Sequence, residues 1–172
     1  MYHIPTKRAH TITSAGQLAL GLLLLLASGH VRYYVHDIPH TMQTLAIVCI
    51  ALCYPRKTAI KTTVLYAVVA TLGPTAMTMS AGLTGATAGY FIGFLCATHI
   101  ITSQKAHTQT TIATILTAQM AIWGCGMVYL SCIVGPEKAF WLGVYPFVIT
   151  DCCKSIIAWS LIRHFKIGQM SQ

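Results

Sequence analysis

The chain has 172 residues, 55% of them hydrophobic and 8% charged, against about 25% charged in a soluble domain. That balance argues against a water-soluble globule. Eleven Lys and Arg face three acids for a formal charge of +8, but the basic residues form no patch with interleaved aromatics, which argues against nucleic-acid binding.

Charges divide the chain into long uncharged runs, and the first covers 23 residues between Arg8 and Arg32. One crossing of a ~30 Å hydrocarbon layer takes ~20 apolar residues at a rise of ~1.5 Å each, so this run holds one span, at 11–29. Lys7-Arg8 followed by LALGLLLLLAS also fits a secretory signal, but the run exceeds the usual signal core and a retained helix is the better reading. On that helix Ala15 and Ala19 are four apart and share a face. They are either a small-xxx-small contact for a partner helix or ordinary span alanines.

The 18 residues between Asp37 and Arg56 predict a second span at 41–54. Just before it, IPHTMQTL places the amide of Gln43 near the outer boundary, and Pro39 between His36 and His40 spoils a shared helical face for metal binding. The 43 residues between Lys61 and Lys105 are twice one crossing. They predict spans at 58–72 and 83–101, with the turn at Gly73-Pro74. Residues 77–90, MTMSAGLTGATAGY, carry Gly, Ala, Ser and Thr where a lipid-facing helix would carry Leu and Ile. Irregular backbone at membrane depth is tolerated only when buried or lining a cavity, so this stretch implies a close approach to a ligand or to another helix. The 31 residues before Glu137 predict a span at 108–132, and the last lies at 142–164.

Six spans make an all-α integral membrane bundle, a single domain over 1–172 with both termini on one side. That side carries Lys7, Arg8, Arg56, Lys57, Lys61, Lys105, Arg163 and Lys166, and the other only Arg32 and Lys138. The positive-inside rule then places both termini in the cytoplasm and the chain in the cell membrane, surrounded by lipid. Seven cysteines include no Cys-x-x-Cys pair. Cys49 and Cys53 share a face, Cys125 and Cys132 lie two turns apart, and Cys152-Cys153 point to different sides, so all read as small hydrophobes and no metal or cofactor is expected.

A charge at the bilayer centre costs roughly 2.5 kcal/mol or more, and Asp151 and Lys154 alone sit inside a span away from its ends. Three apart, they share a helical face and can pair. If the last helix begins at Pro146, both fall in its outer half, either as a structural lock or as part of a binding site. A carboxylate, an ammonium, the Gln43 amide and a Gly/Thr-rich turn thus converge from spans two, four and six, which suits capture of a small polar molecule. There is no Gly-x-Ser-x-Gly elbow and no nucleotide loop, so the chain reads as a transporter rather than an enzyme, working with a partner or by facilitated diffusion.

At these residues the sequence resembles the BioY family, the biotin-binding S-components of energy-coupling-factor (ECF) transporters. The match is carried by Pro39-His40-Thr41-Met42-Gln43-Thr44-Leu45-Ala46 with Tyr54-Pro55-Arg56-Lys57, by Gly85-Ala86-Thr87-Ala88-Gly89-Tyr90-Phe91-Ile92-Gly93-Phe94, and by Gly143-Val144-Tyr145-Pro146-Phe147 running on through Thr150-Asp151 to Lys154. The resemblance implies biotin capture from the outer side. Asp151 would accept a ureido N–H, and Lys154 would hold the ureido carbonyl or balance the aspartate. Thr87 and Tyr90 would line the pocket, with Gly85 and Gly89 in the loop and Gln43 nearby. It also implies coupling to a T-component and an ATPase pair through small residues of the first helix, here Ala15 and Ala19, although some members work without dedicated partners. Ala86, Ala88 and Thr150 depart from the family's Pro, Gly and Gly. The alternatives are an S-component for thiamine or riboflavin, an intramembrane enzyme using Asp151 with a histidine, and a purely structural bundle. The biotin reading requires a void beside the Asp151–Lys154 couple.

Overall fold

The structure is a computed structural model that describes residues 13–35, 38–73, 82–107 and 112–170. Lys7, Arg8, His36, Pro74 and positions 77–81 lie outside the described residues. In chain order the elements are α1 (Ser14–His30), β1 (Arg32–Val35), β2 (Ile38–Thr41), α2 (Gln43–Cys53), α3 (Arg56–Leu72), a 3-10 turn (Gly82–Thr84), α4 (Ala88–His107), α5 (Ile112–Val134), α6 (Pro136–Gly143) and α7 (Tyr145–Met170). Each expected span overlaps one of the longer helices.

Local chemistry sets the boundaries. The Thr13 hydroxyl accepts the Gly16 N–H at 3.2 Å and caps α1. Gly73 ends α3, donating its N–H to the Val69 carbonyl at 2.8 Å, so the turn expected at Gly73-Pro74 begins where the sequence placed it.

Two features correct the sequence reading. The second span was expected from 41, yet Thr41 is the last residue of an antiparallel hairpin in which Arg32 faces it and Tyr33 faces His40. Pro39 lacks an N–H and disfavours helix at the residue before it, so the helix cannot extend backwards through this stretch. The resulting α2 has 11 residues and rises only ~16 Å, about half a hydrocarbon layer. The second correction is α6. Gly135 takes a left-handed φ of 86° and Pro136 occupies the first turn, which stops α5 and starts a new helix whose N-terminal dipole is met by Glu137.

Helix packing explains part of the small-residue pattern. A Cβ on Gly89 would lie 2.4 Å from the Cys125 carbonyl oxygen, and one on Gly93 would lie 2.6 Å from the Ile122 Cα. These two glycines, four apart, let α4 press directly on the backbone of α5. On α1, Gly21 meets Thr62 and Tyr54 in the same way, while Leu25 is fully buried, so α1 belongs to the bundle. Thr63 and Thr98, both buried, bridge α3 and α4 at 3.1 Å.

Around a mainly hydrophobic core, several polar groups are buried and several large apolar ones exposed. Asp151, Lys154, Gln119 and Thr62 are buried, whereas Leu72 and Ile149 are 82% and 76% exposed. Among the described residues, two helical stretches, Ile112–Val134 and Pro136–Ser160, are long and apolar enough to cross a membrane, with mean hydropathies of 1.4 and 1.3. Ser14–His30 and Gln43–Cys53 are shorter apolar helices.

Candidate functional site

The site is organised by Asp151, which α7 carries into the bundle interior, where the residue is 1% exposed. A carboxylate buried this deeply needs donors, and three helices supply four. Oδ1 accepts from Thr44 Oγ1 of α2 at 2.9 Å and from Lys154 Nζ at 2.9 Å. Oδ2 accepts from Gln119 Nε2 at 2.9 Å and from Trp123 Nε1 at 3.1 Å, both on α5. Gln119 and Trp123 are one turn apart, which is why both reach the same oxygen.

Lys154 also serves the hairpin. Its ammonium donates to the Thr41 carbonyl at 2.8 Å and sits 5.6 Å from the centre of the Tyr33 ring, so one buried charge couples α7 to both strands. His40, fully buried, stacks between Tyr33 and Phe147 with ring centres 5.2 and 4.4 Å away, and its Nδ1 lies 3.2 Å from Thr150 Oγ1. Burial, then the nearby Lys154 charge, lower the His40 pKa from the ordinary histidine range. Thr150, one of the departures from the family pattern, therefore has a partner of its own.

A cavity of about 440 Å³ opens against this carboxylate. Its walls include Phe91 and Phe94 of α4, Trp123 of α5 and Phe147 of α7. Polar groups enter at a few points: Thr41 from β2, Gln43 and Thr44 from the start of α2, Thr87 from the turn before α4, and Arg32 from β1. Gln43 is itself held, accepting from Thr41 Oγ1 at 2.9 Å and donating to the Tyr66 hydroxyl. Tyr90 packs against Gly126 and donates to the Gly143 carbonyl at 2.7 Å, fastening α4 to α6 at the cavity edge.

Of the seven ligand-site residues expected from sequence, Asp151, Thr87, Tyr90, Gly85 and Gln43 line this cavity. Lys154 and Gly89 do not line it. Lys154 is occupied with Asp151 and Thr41, and Gly89 is occupied by the α4–α5 contact. Ala15 and Ala19 are exposed on α1, away from the cavity.

Sequence reasoning missed Arg32, Thr44, Gln119 and Trp123. Thr44 lay inside the quoted Pro39–Ala46 motif, and a polar Gln119 within an apolar span was a visible signal. Arg32 and Trp123 carried no local mark.

Comparison with known proteins agrees with this architecture. The BioY family model matches residues 5–168. A probable biotin transporter BioY of Pyrococcus horikoshii is 28% identical over 145 residues, 82% of this chain and 88% of that protein. A probable biotin transporter BioY of Rickettsia prowazekii is 21% identical over 159 residues, covering 87% of this chain and 81% of its own. The crystal structure of an S-component for biotin from an ECF-type ABC transporter superposes with a TM-score of 0.76 over 94% of both chains at 16% identity, which establishes a common fold.

Proposed function

Since this chain belongs to the BioY family, we propose that it captures biotin from outside the cytoplasmic membrane and carries it inward as the substrate-binding S-component of an ECF-type transporter. One observation carries the reading: the aromatic-walled cavity of about 440 Å³ is bounded by a buried carboxylate. Small-molecule sites occupy ~300–1,000 Å³ and combine apolar walls with a few placed polar groups. Biotin is an apolar bicycle with a neutral ureido ring, whose N–H groups suit Asp151, and a carboxylate tail. The Asp151–Lys154 pair is neutral in sum, which suits a neutral ring.

The tail has a counterpart in Arg32, the half-buried cationic residue of the cavity wall. Arg32→Gln is expected to weaken biotin binding about tenfold, the scale of one charge-assisted hydrogen bond, while leaving biotin amide almost unaffected. Calorimetric titration with both ligands checks this, and an equal loss for both would remove Arg32 from tail recognition.

Six crossings with both termini in the cytoplasm follow from the eight-to-two division of basic residues between the two faces. The exposed aromatic trio Phe140, Trp141 and Tyr145, clustered at the junction of α6 and α7, supports an outer interface there, because amphipathic rings settle at headgroup level. The exposed Ala15 and Ala19 on α1 offer a smooth face for a T-component driven by an ATPase pair. Solitary operation leaves that face to lipid.

The function is tested by uptake of labelled biotin into cells expressing the protein. Excess unlabelled biotin is expected to abolish uptake, and excess thiamine or riboflavin to leave it unchanged; displacement by thiamine alone would overturn the reading. An intramembrane enzyme would return a chemically altered ligand, so mass spectrometry of the recovered molecule separates catalysis from transport.

A further inference from the structure

A carboxylate offers about four lone-pair positions, and all four on Asp151 are taken: two on Oδ1 by Thr44 and Lys154, two on Oδ2 by Gln119 and Trp123. A ligand N–H therefore reaches Asp151 only by displacing one of these donors. Lys154 and Gln119 are 6% and 1% exposed and lie outside the cavity wall. Moving Lys154 would separate a buried carboxylate from its counter-charge. Moving Gln119 would leave an amide whose Oε1 already lacks a partner without its remaining bond.

Thr44 and Trp123 do line the cavity. A hydroxyl both donates and accepts and turns about one bond, so Thr44 can re-aim in place and stay beside the ligand. The indole N–H is a donor only, its 3.1 Å bond is the longest of the four, and its ring borders the open space.

Resting on the biotin reading above, we propose that Trp123 is a placeholder donor: its indole N–H holds the Asp151 lone pair that a ligand N–H takes, and ligand entry turns the ring off the carboxylate. The exchange conserves the number of hydrogen bonds on a buried charge at every stage. It also excludes molecules of similar shape that lack an N–H, because these would evict the indole without replacing its bond, leaving a buried acceptor unsatisfied.

The test uses full-length protein in lipid nanodiscs with ¹⁵N-labelled tryptophan, the three indole signals being assigned through W141F and W159F. On titration with biotin the Trp123 indole proton is expected to move upfield as it leaves the carboxylate, with Trp141 and Trp159 unmoved. W123F, which removes the competing donor, is expected to bind biotin about tenfold more tightly by calorimetry. A Trp123 signal that stays in place at saturation, or a W123F affinity that is unchanged or weaker, overturns the placeholder role while leaving biotin capture standing. Calorimetry without any heat of biotin binding overturns both.

Discussion

Asp151→Asn lowers biotin affinity by more than about a hundredfold and destabilises the fold, the largest single effect expected of this site. The side chain accepts four hydrogen bonds at 2.9–3.1 Å and is 1% exposed. An Asn in its place keeps one oxygen and presents an NH₂ to donors that need an acceptor. It also leaves the Lys154 ammonium, 6% exposed, without a counter-charge, and breaking a buried pair by removing one partner costs about 3–5 kcal/mol. Loss of binding through misfolding and loss through chemistry are separated by the double variant Asp151→Leu with Lys154→Met. An apolar pair of similar volume removes both charges together and avoids the penalty of a lone buried charge, so this protein is expected to elute as a monodisperse peak while binding no biotin, with a melting temperature below wild type because Thr44, Gln119 and Trp123 lose their acceptor. Near wild-type affinity in the double variant would take Asp151 out of ligand recognition.

Gly89→Ala produces the second large effect, at a position outside the cavity wall. The added methyl would sit 2.4 Å from the Cys125 carbonyl oxygen and 2.6 Å from the Tyr129 Cβ. Both neighbours belong to the α5 backbone or to a side-chain root, so neither can turn away, and α4 must move off α5. Overpacking of this kind costs about 1–3 kcal/mol, which lowers the melting temperature by roughly 2–12 °C for a chain of this size. Because Tyr90, Phe91 and Phe94 ride on α4, their cavity contacts shift with it and biotin affinity falls as well. Gly124→Ala is the control on the facing helix: a Cβ there meets nothing within 4 Å, so melting temperature and affinity are expected to stay at wild-type values. Thermal unfolding followed by calorimetry reads both variants, and equal melting temperatures for the two would contradict the α4–α5 contact.

Much of the architecture was legible because hydrocarbon imposes a length on apolar segments. Five long runs of sparse charge, one of them divided at the Gly73 stop, located the six longer helices within several residues. What escaped was short and local. The Arg32–Thr41 hairpin has no alternating apolar pattern and is recognisable only once its strands are paired, and α6 was hidden by the Glu137–Lys138 charges at its start. The glycine-rich stretch was rightly read as a place of close approach, but it divides between two tasks. Gly85 and Thr87 border the cavity, whereas Gly89 and Gly93 press on α5.

The buried pair tells the same story at the level of the site. Spacing alone puts Asp151 and Lys154 on one helical face, since three residues make nearly one turn, and the scarcity of charge in lipid marks them as either a structural lock or part of a binding site. Which of the two borders the cavity is not a property of α7. It was decided by the hairpin carbonyl of Thr41, which takes up the ammonium, and by Gln119 and Trp123 on α5, which meet the carboxylate. The amino-acid order determined that this chain is a helical membrane bundle with one costly charged pair, because hydrophobic run length and helical period are local quantities. The cavity, its Arg32 wall and the Trp123 contact arise only where segments from distant parts of the chain meet, because hydrogen-bond geometry and excluded volume depend on distances that sequence separation does not encode.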